Sequence, residues 1–116
     1  MTEIPSEDRE QMLFVQWMKR THPEHRIFAI PNGGRRSPSE AAKLKATGVS
    51  AGVPDLCIPS LMLFIEMKRV KGGTVSLEQK EWIEYLVSVG YTAEVAKGCE
   101  EAINIAVNTI LYKKIS

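Results

Sequence analysis

Two carboxylates and an amine lie at a spacing that suits metal-assisted chemistry. Asp55 closes the run Gly52-Val53-Pro54-Asp55, and Glu66 and Lys68 follow eleven and thirteen positions later. Carboxylate oxygens are the ligands that Mg²⁺ prefers, and an ammonium group stabilises negative charge on a phosphoryl oxygen. If the fold brings these three side chains together, they form a site able to hydrolyse phosphodiester bonds.

The segment around these residues is typical of a β-hairpin. Residues 56–58 and 61–65 are short apolar runs rich in strand-forming residues, and the Pro59-Ser60 pair between them is typical of a turn. We therefore expect two antiparallel strands within residues 56–68.

The register of this hairpin determines which side chains face each other. A two-residue loop at Ser60-Leu61 places Asp55 opposite Glu66, with β-carbons about 5 Å apart. Strand alternation adds Lys68 to the same face. A shift of two residues would make Asp55 and Glu66 diagonal neighbours, which could still share one ion.

Length and composition indicate the class of protein. The chain has 116 residues, of which 44% are hydrophobic, so we expect residues 1–116 to form one compact α/β domain. No apolar run approaches the roughly 20 residues that cross a bilayer, and the acidic N-terminus is unlike a signal peptide. We expect a cytoplasmic protein without a membrane partner. Cys57 and Cys99 are expected to be reduced, and they indicate neither a disulfide framework nor a zinc site.

Positive charge is concentrated in the middle of the chain. The formal net charge is only +1, but residues 35–71 carry seven Lys or Arg against three Asp or Glu, a net charge of +4. The flanking segments 1–34 and 72–116 carry −1 and −2. Two of the three acidic residues in the middle are the proposed metal ligands. The hairpin region is therefore the part of the chain suited to binding phosphate groups.

Hydrophobic periodicity and capping residues predict a simple order of elements. Helices are expected over residues 6–20, 39–47, 76–89 and 98–111, and strands over 26–30, across the 56–68 hairpin and over 91–96. The sequence shows neither an internal repeat nor a low-complexity segment.

Three motifs in this order resemble those of a known enzyme superfamily. The runs Gly52-Val53-Pro54-Asp55, Glu66-Met67-Lys68 and Ser76-Leu77-Glu78-Gln79 resemble successive motifs of the PD-(D/E)xK nucleases, specifically of the VRR-NUC (virus-type replication and repair nuclease) branch. Residues 30–35 and 42–48 also resemble linking segments of small stand-alone phage members. The resemblance covers nearly the whole chain. It implies a restriction-endonuclease-like fold, with a mixed central β-sheet flanked by helices and a core order αβββαβ.

The resemblance also implies a site and a reaction. Asp55 and Glu66 would bind Mg²⁺ or Mn²⁺ together with the backbone carbonyl of Met67, and Lys68 would position the attacking water. No organic cofactor is implied. The implied function is structure-selective cleavage of DNA, for example at branched or four-way (Holliday) junctions, in replication, repair or recombination. A homodimer is expected, in a bacterial or phage-infected host cytoplasm, because cutting two strands needs two sites.

Two further acidic or polar positions have alternative interpretations. Gln79 is a catalytic candidate by resemblance, but Ser76-x-x-Gln79 is also a helix capping box, and the two roles can coexist. Glu7 resembles a first-helix glutamate that lies near the metals in family members. Glu10 competes with Glu7 for that place, and either one could instead be a solvated helix carboxylate.

The candidates for contact with DNA phosphates are polar residues in the Gly-rich loop and lysines elsewhere. They are Asn32, Arg35, Arg36, Lys43, Lys71 and Lys80. A plain surface turn explains Gly33-Gly34 equally well, and a solvated face of mixed charge is the alternative for Lys43. His22 and His25 lie outside metal-ligand spacing and are interpreted as loop or surface residues.

Two other functions are compatible with the same residues. One is a flap-type or restriction-like nuclease of the same superfamily, although sequence-specific cutting needs a base-reading element for which the chain has no spare domain. The other is a nucleic-acid-binding module that has lost catalysis. The presence of Asp55, Glu66 and Lys68 together argues against that module.

Overall fold

The computed structural model describes residues 4–31 and 36–115 and shows a mixed α/β fold. Helices flank a four-stranded sheet, as the sequence predicts. In chain order the elements are α1 (Glu7–Thr21), β1 (Phe28–Ala29), α2 (Pro38–Ala46), β2 (Leu56–Ile58), a 3₁₀ turn (Pro59–Leu61), β3 (Leu63–Lys68), α3 (Leu77–Ser88), β4 (Thr92–Lys97) and α4 (Cys99–Ile115). No helix among the described residues is long and apolar enough to span a membrane.

Serine residues begin the first three helices. The side chains of Ser6, Ser37 and Ser76 accept hydrogen bonds from backbone N–H groups in the first turns of α1, α2 and α3. Such caps satisfy amides that have no partner within the helix. The predicted helix boundaries agree to within one or two residues, except that α4 continues to Ile115 instead of ending near residue 111. The predicted first strand over 26–30 is shorter and consists only of Phe28–Ala29.

The sheet has the strand order β1-β2-β3-β4. The first two neighbouring pairs are antiparallel, and β3 and β4 are parallel because α3 carries the chain across between them. In the β2–β3 hairpin Cys57 lies opposite Phe64, which confirms the predicted register.

The predicted two-residue loop at Ser60-Leu61 is wrong. Four residues connect the strands: the 3₁₀ turn is followed by Met62 in the left-handed region at φ 48°. The Met62 N–H donates to the Pro59 carbonyl at 2.9 Å. A four-residue connection centred on the same two residues leaves every cross-strand pair unchanged, so the difference does not alter the register.

The core lies between one face of the sheet and helices α1 and α4. Leu63, Ile65 and Met67, alternate residues of β3, are fully buried and pack in one cluster with Phe14 and Met18 of α1. On α4 the buried positions are Ala102, Ala106 and Ile110, and the two small alanines allow the helix to approach closely. Alternation therefore directs the other β3 side chains, including those of Glu66 and Lys68, away from this cluster.

A backbone contact fixes the segment before β2 against α3. Gly52 has φ +91°, and a β-carbon added there would lie 2.5 Å from the backbone carbon of Glu78 in the first turn of α3. Only a residue without a side chain fits this approach. The contact positions the chain three residues before Asp55.

We predict that Gly52→Ala lowers the free energy of unfolding by about 3 kcal/mol, from left-handed strain together with overpacking against backbone. Gly48→Ala is the matched control, because Gly48 also has a positive φ of +111° but has no atom within 4 Å of an added β-carbon. Gly48→Ala should lower the free energy of unfolding by only about 1–2 kcal/mol. Urea unfolding measures both, and equal losses would contradict the proposed contact.

Candidate metal centre

Three carboxylates from three parts of the chain converge at one end of the hairpin. Glu7 lies in the first turn of α1, Asp55 directly precedes β2, and Glu66 belongs to β3. One carboxylate oxygen from each residue lies within 4.8 Å of the other two. Continuing the observed β2–β3 register by one residue places Asp55 opposite Glu66, which explains why two of the three meet.

The Asp55 side chain is held by the neighbouring strand. Its Oδ2 accepts a hydrogen bond from the Met67 backbone N–H at 2.8 Å, and its own carbonyl accepts one from the Ile30 N–H at 2.7 Å. Pro54, immediately before it, is buried. Asp55 is therefore tied to β3 through its side chain and to the segment after β1 through its backbone.

Glu66 is a buried acid with one satisfied oxygen. Only 2% of the residue is exposed. Its Oε2 accepts a hydrogen bond from Gln79 Nε2 at 3.0 Å and lies 3.5 Å from Lys68 Nζ. Its Oε1 is buried without a hydrogen-bond partner among the described residues. A buried oxygen of this kind is costly unless something else binds it, so the donor set fits a cation that prefers hard oxygen ligands.

The electrostatics of the centre favour a proton when no cation is bound. Burial raises the pKa of Glu66 to about 8, with a further contribution from the Asp55 carboxylate, and the Lys68 ammonium opposes this only in part. Burial also raises the pKa of Glu7, again against the influence of Lys68. A bound divalent cation reverses this balance, because it stabilises the ionised carboxylates.

Gln79 forms the capping box that the sequence predicts and also contacts the carboxylate cluster. Its Oε1 accepts from the Ser76 N–H at 2.9 Å, and the Ser76 Oγ accepts from the Gln79 N–H at 3.2 Å, which completes the capping box. Its Nε2 meanwhile donates to Glu66. The two ends of one amide thus close the N-terminus of α3 and orient a carboxylate of the centre.

The structure separates Glu7 from Glu10. Glu10 is 6% exposed and its Oε1 accepts from the Cys99 N–H at 3.0 Å, so it closes the N-terminus of α4 instead of joining the carboxylate cluster. The two residues are three positions apart and lie on the same side of α1, about one turn apart, so each meets a different neighbouring element. Sequence reasoning could not distinguish them, because the orientation of α1 depends on its packing against α4.

The structure describes four of the six predicted DNA-binding residues. Asn32 and Arg35 lie outside the described residues. Arg36, Lys43, Lys71 and Lys80 are all exposed. Lys71 follows β3 by three residues and Lys80 is adjacent to Gln79, whereas Lys43 lies on α2, a helix without buried residues.

The two histidines lie outside the carboxylate cluster. His25 Nδ1 is 2.8 Å from the Ser60 hydroxyl, and the His22 ring contacts Trp17 edge-on at 5.4 Å. These contacts join the loop after α1 to the hairpin turn. The residue that sequence reasoning missed is Gly52, whose role depends on a contact with α3 that no local pattern reveals.

Comparison with known proteins agrees with this geometry. The sequence model of the VRR-NUC domain matches residues 2–100. A solved structure described as a "VRR_NUC domain protein" superposes with a TM-score of 0.78 at 32% sequence identity, covering 93% of this chain and 90% of that chain. Among curated proteins, none matches.

The raised pKa of Glu66 predicts how the stability of the metal-free protein depends on pH. The folded state keeps a proton that the unfolded chain releases above about 4.5, so this stabilisation is complete below that pH and is lost as pH rises towards 8. In EDTA, the melting temperature should therefore fall between pH 5 and 8 more steeply than in Glu66→Gln, which cannot titrate. Parallel curves for the two proteins would contradict the assignment.

Two substitutions should separate the cap from the metal centre. Ser76→Ala removes the cap but keeps the Gln79 amide, and should lower stability by about 1 kcal/mol without moving the pH midpoint of Mn²⁺ binding. Gln79→Glu keeps a capping box but places a carboxylate beside Glu66, and should move that midpoint upward. Calorimetric titration with Mn²⁺ at several pH values measures both. An equal shift in Ser76→Ala would show that the amide acts only through the helix.

Proposed function

The chain belongs to the VRR-NUC domain family of nuclease-type domains, and from this premise we propose that it is an endonuclease that hydrolyses DNA phosphodiester bonds with Mg²⁺ or Mn²⁺. The observation that carries the proposal is the buried Glu66 Oε1, which has no hydrogen-bond partner among the described residues and lies in a cluster with Asp55 and Glu7. A bound cation would satisfy this oxygen.

The cation would be held by Asp55, Glu66 and the Met67 carbonyl, with Glu7 as a further ligand. When bound, it would supply Lewis-acid activation of water and neutralise charge on the phosphoryl group. The chain's own residues prepare this step. The Met67 N–H fixes the Asp55 carboxylate, and Gln79 orients Glu66.

Lys68 is the residue that we propose acts on the reacting atoms. Its side chain lies on the same strand face as Glu66, with Nζ 3.5 Å from Glu66 Oε2, and it is largely buried. In our proposal the ammonium group donates hydrogen bonds to the attacking water and to a non-bridging phosphoryl oxygen, where negative charge develops in the transition state. Burial strengthens this interaction because bulk water does not screen it.

The proposed substrate is branched DNA, including four-way junctions, processed during replication, repair or recombination. The family resemblance supports this choice, and the exposed cations Arg36, Lys43, Lys71 and Lys80 could bind more than one duplex arm. A symmetric homodimer would supply one centre for each strand. A flap-type or restriction-like nuclease is the alternative within the same fold.

Activity assays with labelled linear, flap and four-way-junction DNA test the proposal. With Mg²⁺ or Mn²⁺ the wild-type protein should cut the junction, and Asp55→Ala and Lys68→Ala should each slow cleavage by at least about 100-fold, the scale expected for loss of a group that stabilises the transition state. Glu84→Ala, which removes an exposed carboxylate from α3, is the control and should cut normally. Binding without metal-dependent cleavage would overturn the enzyme assignment, and light scattering of the same samples tests the dimer.

A further inference from the structure

A groove of about 450 Å³ lies on the side of α3 that faces the segment before β2. One wall is formed by Ser50 and Ala51, and the other by Glu78, Glu81, Trp82 and Tyr85. The four α3 residues have the spacing i, i+3, i+4 and i+7, so they form one stripe along the helix. The volume is within the range of sites that bind small organic groups.

The groove lies beside the segments that carry the metal centre. Glu78 directly precedes Gln79, which donates to Glu66, and its backbone packs against Gly52, three residues before Asp55. Trp82 lies one helical turn after Gln79, about 4.5 Å along the helix axis. If a phosphate binds at the centre, we therefore expect the adjacent nucleotide to approach the groove.

Aromatic side chains give the groove a stacking surface. The Trp82 Nε1–H donates to the Ser50 hydroxyl at 3.2 Å, which fixes the indole ring against the opposite wall. Tyr85 packs edge-on to Trp82, with ring centroids 5.6 Å apart and ring planes at 89°. Nevertheless, 56% of Tyr85 remains exposed. An exposed aromatic ring beside a fixed one is the arrangement on which nucleic-acid bases stack.

The charged residues of the groove determine which part of a nucleotide can enter it. Glu78 and Glu81 are both exposed carboxylates, so the groove repels phosphate. Carboxylates accept hydrogen bonds from exocyclic amino groups, as in the pairing of Glu with the cytosine N4 amino group. Thymine has no amino group, and its N3–H lies between two carbonyl oxygens that repel a carboxylate. A base edge, and not the sugar-phosphate backbone, is therefore the part that this chemistry recognises.

We propose that this groove binds one unpaired nucleobase, next to the scissile phosphate, and prefers bases that carry an amino group over thymine. The inference rests on the proposed nuclease function and specifies its substrate, because an unpaired base occurs at junctions, flaps and single strands. A lysine or arginine side chain of a protein partner would also suit two carboxylates and two rings. The base is favoured because Glu78, in the wall of the groove, directly precedes Gln79, which contacts Glu66 of the proposed metal centre.

Tryptophan fluorescence provides a direct test. The chain has two tryptophans, so a Trp17→Phe background leaves Trp82 as the only reporter. In EDTA, which prevents cleavage, short oligo(dC) should quench Trp82 and bind about tenfold more tightly than oligo(dT). Tyr85→Leu should weaken oligo(dC) binding by about tenfold, the scale of one stacked base. Glu81→Gln should reduce the preference for oligo(dC) over oligo(dT).

Tyr112→Leu is the matched control, since it removes a tyrosine that is 69% exposed on α4, and it should leave both affinities unchanged. Equal binding of oligo(dC) and oligo(dT), or an unchanged affinity in Tyr85→Leu, would overturn the inference. Quenching by a lysine-rich peptide but not by oligo(dC) would also overturn it, in favour of a protein partner.

The outcome for the groove is separable from the outcome for the nuclease. Metal-dependent cleavage of junction DNA, without quenching of Trp82 fluorescence by oligo(dC), would overturn only the base-binding inference. Oligo(dC) binding with the expected variant effects, but without cleavage of any DNA, would overturn only the proposed enzyme function. A cooperative thermal unfolding transition would show that Tyr85→Leu is folded, which we expect because Tyr85 is exposed.

Discussion

Asp55 is held in the centre because its Oδ2 accepts a hydrogen bond from the Met67 N–H across the hairpin, at 2.8 Å. That bond exists only in one register, and the register is determined by the opposite face of β3. Moving the strand by one residue would expose Leu63, Ile65 and Met67, which are fully buried. This exposure would cost about 1.5–3 kcal/mol of folding free energy for each side chain. Hydrophobic burial on one face thus fixes the carboxylates on the other.

This dependence also explains how an unfavourable site can persist. In the absence of a cation, the centre combines a buried oxygen without a partner, a carboxyl group whose pKa is raised and a largely buried lysine. Each of these features costs folding free energy. The surrounding core compensates for this cost, and a bound cation would remove much of it by stabilising the folded state alone. The proposed metal binding would therefore be linked to stability.

The sequence predicted those features that depend on local pattern. The hairpin register followed from apolar alternation, and the capping box followed from the Ser76-x-x-Gln79 spacing. The place of Gln79 beside Glu66 was implied by the family resemblance, and the amide can make both contacts because it has a donor and an acceptor. The roles of Glu7 and Glu10 could not be separated, since they depend on how α1 packs against α4. Gly52 and the four-residue turn were missed because a tertiary contact and a left-handed Met62 leave no local signal.

Two helix N-termini are closed by polar side chains that contact or neighbour a carboxylate of the cluster: Gln79 closes α3, and Glu10 closes α4. Gln79 caps α3 while it holds Glu66, and Glu10 closes α4 one turn after Glu7. A chain of 116 residues has few buried positions, so polar groups inside it must satisfy helix ends as well as shape the centre. Substitution at Gln79 should therefore affect stability and metal binding together, whereas substitution at Glu10 should affect stability through α4. The proposed base-binding groove differs from both, because Tyr85 and Glu81 are exposed and their substitution should leave the fold undisturbed.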